Sequence, residues 1–141
     1  MLTKAYWAAA AWTTIGLIGG LAYREITKAN DFTGTTQLAV VHTHALVLGT
    51  LVMLLFLLLA KTFDLGRFTV TTTFFWTWQG GLALTVGMQA IKGYIQITDA
   101  SAADSPALAG ISGMGHITLT VAFVALFMAL RKGIVQEPVG A

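Results

Sequence analysis

The chain has 141 residues, of which 56% are hydrophobic and only 10% charged, and its mean hydropathy is +0.76. A soluble domain carries about 25% charged residues, so too few charges remain here to coat a water-exposed surface. There is no cysteine, which excludes disulfides, thiolate metal sites, covalent c-type haem attachment and cysteine nucleophiles. The net charge of +2 comes with no long basic run, and nucleic acid is excluded as a partner.

The charges cluster in short stretches between long apolar runs, the pattern of membrane spans. Four spans are expected, at about 5–23, 37–60, 68–91 and 107–130. Each has the roughly 20 residues that a helix needs to cross a 30 Å core. Strands of a β-barrel would be about half as long and would alternate in polarity. Residues 1–23 resemble a signal peptide, but the apolar run exceeds the usual 7–15 residues of a cleavable one. It is read as a retained first span. The first loop holds Lys28, Asn30, Asp31 and Gly34. The second is tight, with Asp64 and Gly66, and the third, 93–106, is the longest. The tail after Lys132 is expected to fray. Residues 1–141 thus form a single transmembrane domain of the all-α class, a four-transmembrane-helix bundle lodged in the lipid bilayer.

Lys4, Lys61, Arg67, Arg131 and Lys132 fall on one side of these spans, and Arg24, Lys28 and Lys92 on the other. The excess of cations places both termini in the cytoplasm of a bacterial inner membrane. An internal repeat is also visible. His44 opens HALVLGTLVMLLFLLLAK and His116 opens HITLTVAFVALFMALRK, and Gly19-Gly20 and Gly80-Gly81 correspond in the preceding helices. Any two apolar helices that end in lysine share part of this likeness.

All three histidines, His42, His44 and His116, lie inside spans, roughly 8–14 Å below the same surface. An ionisable residue at that depth is costly and marks a functional site by default. Within His42-Thr43-His44, positions i and i+2 stand about 200° apart around a helix. The two imidazoles therefore point to opposite sides and serve two sites rather than one. A lone intramembrane histidine is more often a hydrogen-bonding residue between helices, and His116 is open to that role, to ligation, or to a hydrogen bond with a cofactor. Haem b suits these sites: it is large, apolar and takes neutral imidazole as axial ligand. Its propionates need cations or donors near the surface, and Arg24, Lys28 and Lys92 lie on that side. Gly49, Ser112, Gly113 and Gly115 are small enough to let a flat ring approach the backbone. Trp76, Trp78 and Gln79 are candidates to line a pocket, and Met53, Met88, Met114 and Met128 are candidate soft ligands. For both groups, packing is the simpler role. Thr69, Thr71, Thr72 and Thr73 are expected to satisfy local carbonyls.

At Val41-His42-Thr43-His44-Ala45-Leu46-Val47-Leu48-Gly49 the sequence resembles the catalytic subunit of the haem-copper oxidase and nitric oxide reductase superfamily. There an HxH motif on one helix serves haems on opposite sides. That subunit arranges twelve helices as three arcs of four, with the HxH helix second in its arc, as here. The whole chain is also similar to a group of small bacterial four-helix membrane proteins. The resemblance implies a homotrimer that imitates the twelve-helix core, with haem held between His42 of one chain and His44 of the next. It implies electron transfer, with a quinone or another redox protein as partner. The copper-binding histidines and cross-linked tyrosine of the oxidases have no counterpart here, and no haem-copper catalytic centre is recognisable. An enzymatic role as an oxidoreductase component requires a five-coordinate haem. Two alternatives stay open: an intrachain haem between His44 and His116, and a non-haem metal transporter, channel or assembly factor.

Overall fold

A computed structural model describes residues 1–136. Four long helices follow one another: α1 (Leu2–Ala29), α2 (Leu38–Thr62), α3 (Thr69–Thr98) and α4 (Pro106–Gln136). Short 3-10 turns at Leu65–Arg67 and Ala102–Asp104 join the last three, and no strand occurs among the described residues. The helices outrun the apolar windows at α1, α3 and α4. Hydropathy marks only the stretch that avoids water, whereas the intrahelical hydrogen bonds continue into the polar flanks. The tail expected to fray after Lys132 is helical to Gln136; residues 137–141 lie outside the described residues.

Local chemistry sets the helix ends. Asn30 Nδ2 donates to the Ile26 carbonyl at 2.8 Å, and Asp31 follows with φ 46°. Asp64, with φ 45°, turns the chain out of α2. Aspartate visits this left-handed region more readily than most residues because its short polar side chain bonds locally. Pro106 occupies the first position of α4, where its missing N–H costs nothing. In the third loop the Ser101 hydroxyl donates to Asp99 at 2.7 Å. That bond, with help from the Ala102 N–H, holds the Asp99 carboxyl below its ordinary value. A depressed carboxylate stabilises the folded loop above the unfolded pKa, and the contribution is lost as pH falls through the folded one. Protection of the amides at 100–103, taken relative to their intrinsic exchange rates, is therefore expected to fall below about pH 4, and Asp99→Asn should remove that pH step.

The helices run up-down-up-down and pack in chain order. α1 lies on α2, α2 on α3 and α3 on α4, while α1 reaches α3 over a shorter stretch. α1 and α4 do not form a packed pair among the described residues, so the expected bundle is open rather than closed. The cations near Lys4, Arg67 and Lys132 gather at one end. Lys4 lies 5.6 Å from the Trp76 ring centre, and Arg67 and Lys132 lie 4.8 Å and 6.0 Å from that of Phe68.

Three helices, α1, α2 and α4, are long and apolar enough to cross a membrane. The third expected span corresponds to α3, which is long enough but more polar. α3 touches all three other helices, and two of its threonines, Thr71 and Thr85, are buried there, whereas Thr69, Thr72 and Thr73 are exposed. Thr85 Oγ1 donates to the Gly81 carbonyl at 2.8 Å, and Thr71 Oγ1 to the Leu65 carbonyl at 2.6 Å. Thr71 thus meets the expectation for its threonine cluster by reaching a neighbouring turn. Trp78, fully buried, packs on Phe74 and Phe123 and anchors a core with Phe56, Met53 and Leu82. Trp12 Nε1 donates to Gln79 Oε1 at 2.7 Å, and Gln79 Nε2 reaches Met53 Sδ at 3.2 Å. Trp12→Phe leaves the Gln79 carbonyl without its donor. The change should cost about 1–2 kcal/mol of stability in detergent, and Gln79→Leu on top should recover part of it.

Candidate histidine sites on α2

The HxH pair sits at the start of an irregular stretch. Residues Ala45–Leu51 form a π-helical segment, in which the Val52 N–H donates to the Val47 carbonyl five residues back. Two tryptophans occupy this stretch. Trp78 Nε1 donates to the Leu48 carbonyl at 3.1 Å, and the Trp12 side chain lies where a Cβ on Gly49 would be, 2.4 Å away. A side chain that takes a helix carbonyl loosens the i→i−4 ladder. π-segments are rare and recur at functional sites. Here the segment fixes how His42 and His44 are turned relative to the rest of α2.

His44 is half-buried. Its Nδ1–H donates to the Val40 carbonyl at 2.9 Å, which leaves the Nε2 lone pair free. Backbone capture of one ring nitrogen is the usual support of a ligating histidine. The ring adjoins a depression of about 220 Å³ lined by Thr43, His44, Val47 and Leu48. His42 is also half-buried, and lies on the α1 side: a Cβ on Gly20 would be 3.8 Å from His42 Cβ. Its Nδ1 is buried and has no hydrogen-bond partner, while Nε2 comes within 3.4 Å of the exposed Thr43 hydroxyl. A buried polar atom without a partner is rare in a folded protein. His42 thus meets α1 and His44 faces a separate depression, as their spacing requires.

His116 is exposed on α4, and its Nδ1–H donates to the Ser112 carbonyl at 3.2 Å, the same i−4 capture as in His44. In depth it lies a few ångströms beyond His44 and further beyond His42. Leu38 packs on Gly93 and Gly115 on Thr85, contacts about 12 Å apart along α3, while His44 is about 9 Å below Leu38. α2 and α4, however, are not packed neighbours. Among the described residues no three His, Cys, Asp or Glu side chains converge, so the histidines of the single chain are not gathered into one cluster.

The residues expected to support a cofactor divide. Gly49 and Gly115 do not face an open slot: Gly49 receives Trp12, and Gly115 meets Thr85 and the Gly81 carbonyl. Close helix packing is their role. Gly113 has open space beside it, and Gly19 and Gly20 both lie next to His42. Arg24 is exposed and pairs with its neighbour Glu25. Lys92 is half-buried on α3, one turn before Gln96. Trp78 belongs to the core, Gln79 is half-buried beside it, and Trp76 is exposed. Met53 and Met88 are buried filler, and Met114 and Met128 are on the surface of α4. The π-segment and the Gln89 Oε1, buried without a partner, were outside the sequence reading, because both depend on contacts from other helices.

The residues fit a haem in donor chemistry: an imidazole with one nitrogen on a carbonyl and the other free, and apolar walls beside it. What the fold defines is an all-helical protein with membrane-competent helices and two opposed imidazoles on one of them. The chain belongs to the family described as "Protein of unknown function (DUF2871)", whose model matches residues 2–133. No curated protein and no solved structure matches it.

Proposed function

We propose that the protein is a b-type cytochrome of the bacterial inner membrane, with all four helices crossing and both termini in the cytoplasm. Three copies form a ring related to the haem-copper oxidase core, and each interface holds a haem between His42 of one chain and His44 of the next. The observation that carries this reading is the opposed pair: His42 against α1, and His44 with its Nε2 free beside a separate depression. A heterologous ring brings opposite faces of one helix together at every interface.

The open packing favours the same assembly. α4 leaves Ile117, Val121, Val124 and Phe127 exposed, and α1 leaves Leu17, Ile18 and Leu21 exposed. In a ring these flanks meet one another or lipid. α3 contacts all three other helices and can cross within such an assembly. Haem, when bound, supplies a one-electron couple. The chain holds it with two imidazoles, which leaves no open position and suits electron transfer to or from a quinone or a redox protein. The test is direct: the purified full chain should show a Soret band, yield haem b on extraction and run as a trimer in detergent. A colourless protein after expression with ample haem overturns the reading.

A further inference from the structure

The depression at His44 has a neighbour toward the loop end of α2, about 250 Å³ in volume and lined by Thr35, Thr36, Gln37, Val40 and Gln96. Val40 links the two, since it lines the upper space and its carbonyl holds the His44 ring. From Gln37 to His44 the helix rises about 10 Å. The upper space is polar but its donors are not all used. Thr36 Oγ1 is committed, donating to the Gly93 carbonyl at 2.7 Å and accepting from the Leu38 N–H at 3.2 Å. Gln96 Oε1 accepts the Gln37 N–H at 2.7 Å, which leaves the Gln96 NH₂ free to donate. The Thr35 hydroxyl and the Gln37 amide make no side-chain hydrogen bond among the described residues. No carboxylate lines the space, and Lys92 stands one turn before Gln96, on the same face of α3.

We propose that Thr35, Gln37 and Gln96 form a carboxylate-binding mouth that takes the propionate edge of the tetrapyrrole whose iron His44 holds. The inference rests on the haem reading above and adds where the cofactor's acidic edge lies. Neutral amide and hydroxyl donors, with Lys92 as the nearby cation, hold the carboxylates, and Val40 and Val47 face the apolar ring. Arg24, paired with Glu25 on the outer part of α1, is not needed for this.

The experiment uses the full chain in detergent, stripped of haem and titrated with hemin and with hemin dimethyl ester, whose carboxylates are masked. Gln37→Glu should weaken hemin binding about tenfold or more, the scale of a lost charge-assisted bond, and leave the ester within about twofold. Gln37→Leu should show the same selectivity with a smaller loss. Equal weakening of both ligands, or of neither, overturns the mouth while His44-dependent binding by the unaltered chain leaves the haem reading standing. Failure of the unaltered chain to bind either ligand overturns both.

Discussion

Alanine at His44 is expected to abolish the low-spin haem spectrum, and alanine at His42 is expected to do the same, although each variant keeps its partner histidine. The two imidazoles point to different sides of α2, so neither can replace the other at one iron. His44 is the cleaner case. Its Nδ1–H is held by the Val40 carbonyl, so the ring is oriented with its lone pair outward, and removing it deletes a prepared ligand. His42 has a buried Nδ1 with no partner in the single chain, a cost that alanine removes. His42→Ala is therefore expected to fold at least as well as the parent while losing haem, a split that a packing residue would not show. An intrachain haem between His44 and His116 predicts a different pattern, in which His116→Ala bleaches the protein and His42→Ala does not. Absorbance and circular dichroism on the same samples separate the two.

The second large effect is on the fold. A Cβ on Gly93 would lie 2.1 Å from the Leu38 backbone nitrogen and 2.7 Å from its Cα. Both atoms are main chain, so no rotamer relieves the clash. The same contact carries the Thr36 to Gly93 bond at 2.7 Å and the Gln37 N–H to Gln96 bond. Separating α2 from α3 here breaks three things together. Gly93→Ala should cost about 1–3 kcal/mol, the range for overpacking, and Gly93→Val should prevent accumulation of folded protein. Gly80 and Gly87 have nothing within 4 Å of where a Cβ would stand, so Gly87→Ala should leave thermal stability in detergent unchanged or slightly raised, since alanine favours the helix. The contrast tests the α2–α3 register that brings Gln37 to Gln96.

Much of this was legible in the residues. The four apolar runs mark four long helices because a backbone suited to hydrocarbon must satisfy its hydrogen bonds within each run. The opposition of His42 and His44 follows from helical geometry alone. The glycines are where the reading stopped short. Gly49 and Gly115 look alike in sequence to any glycine beside a cofactor, and only the arrival of Trp12 and Thr85 assigns them to helix packing. The π-segment was equally hidden, because Trp78 comes from 30 residues away to take the Leu48 carbonyl. Hydropathy likewise ranked α3 with the other spans. Only the fold separates its buried Thr71 and Thr85 from the exposed Thr69, Thr72 and Thr73.

The central claim is that one haem joins two chains, and complementation tests it most directly. His42→Ala and His44→Ala chains, each colourless alone, are co-expressed with different tags and purified as mixed oligomers. In every mixed ring one interface pairs an intact His42 with an intact His44, so a low-spin haem spectrum should return in the doubly tagged fraction and stay absent from each variant alone. A doubly tagged oligomer that forms but remains without haem would contradict the account.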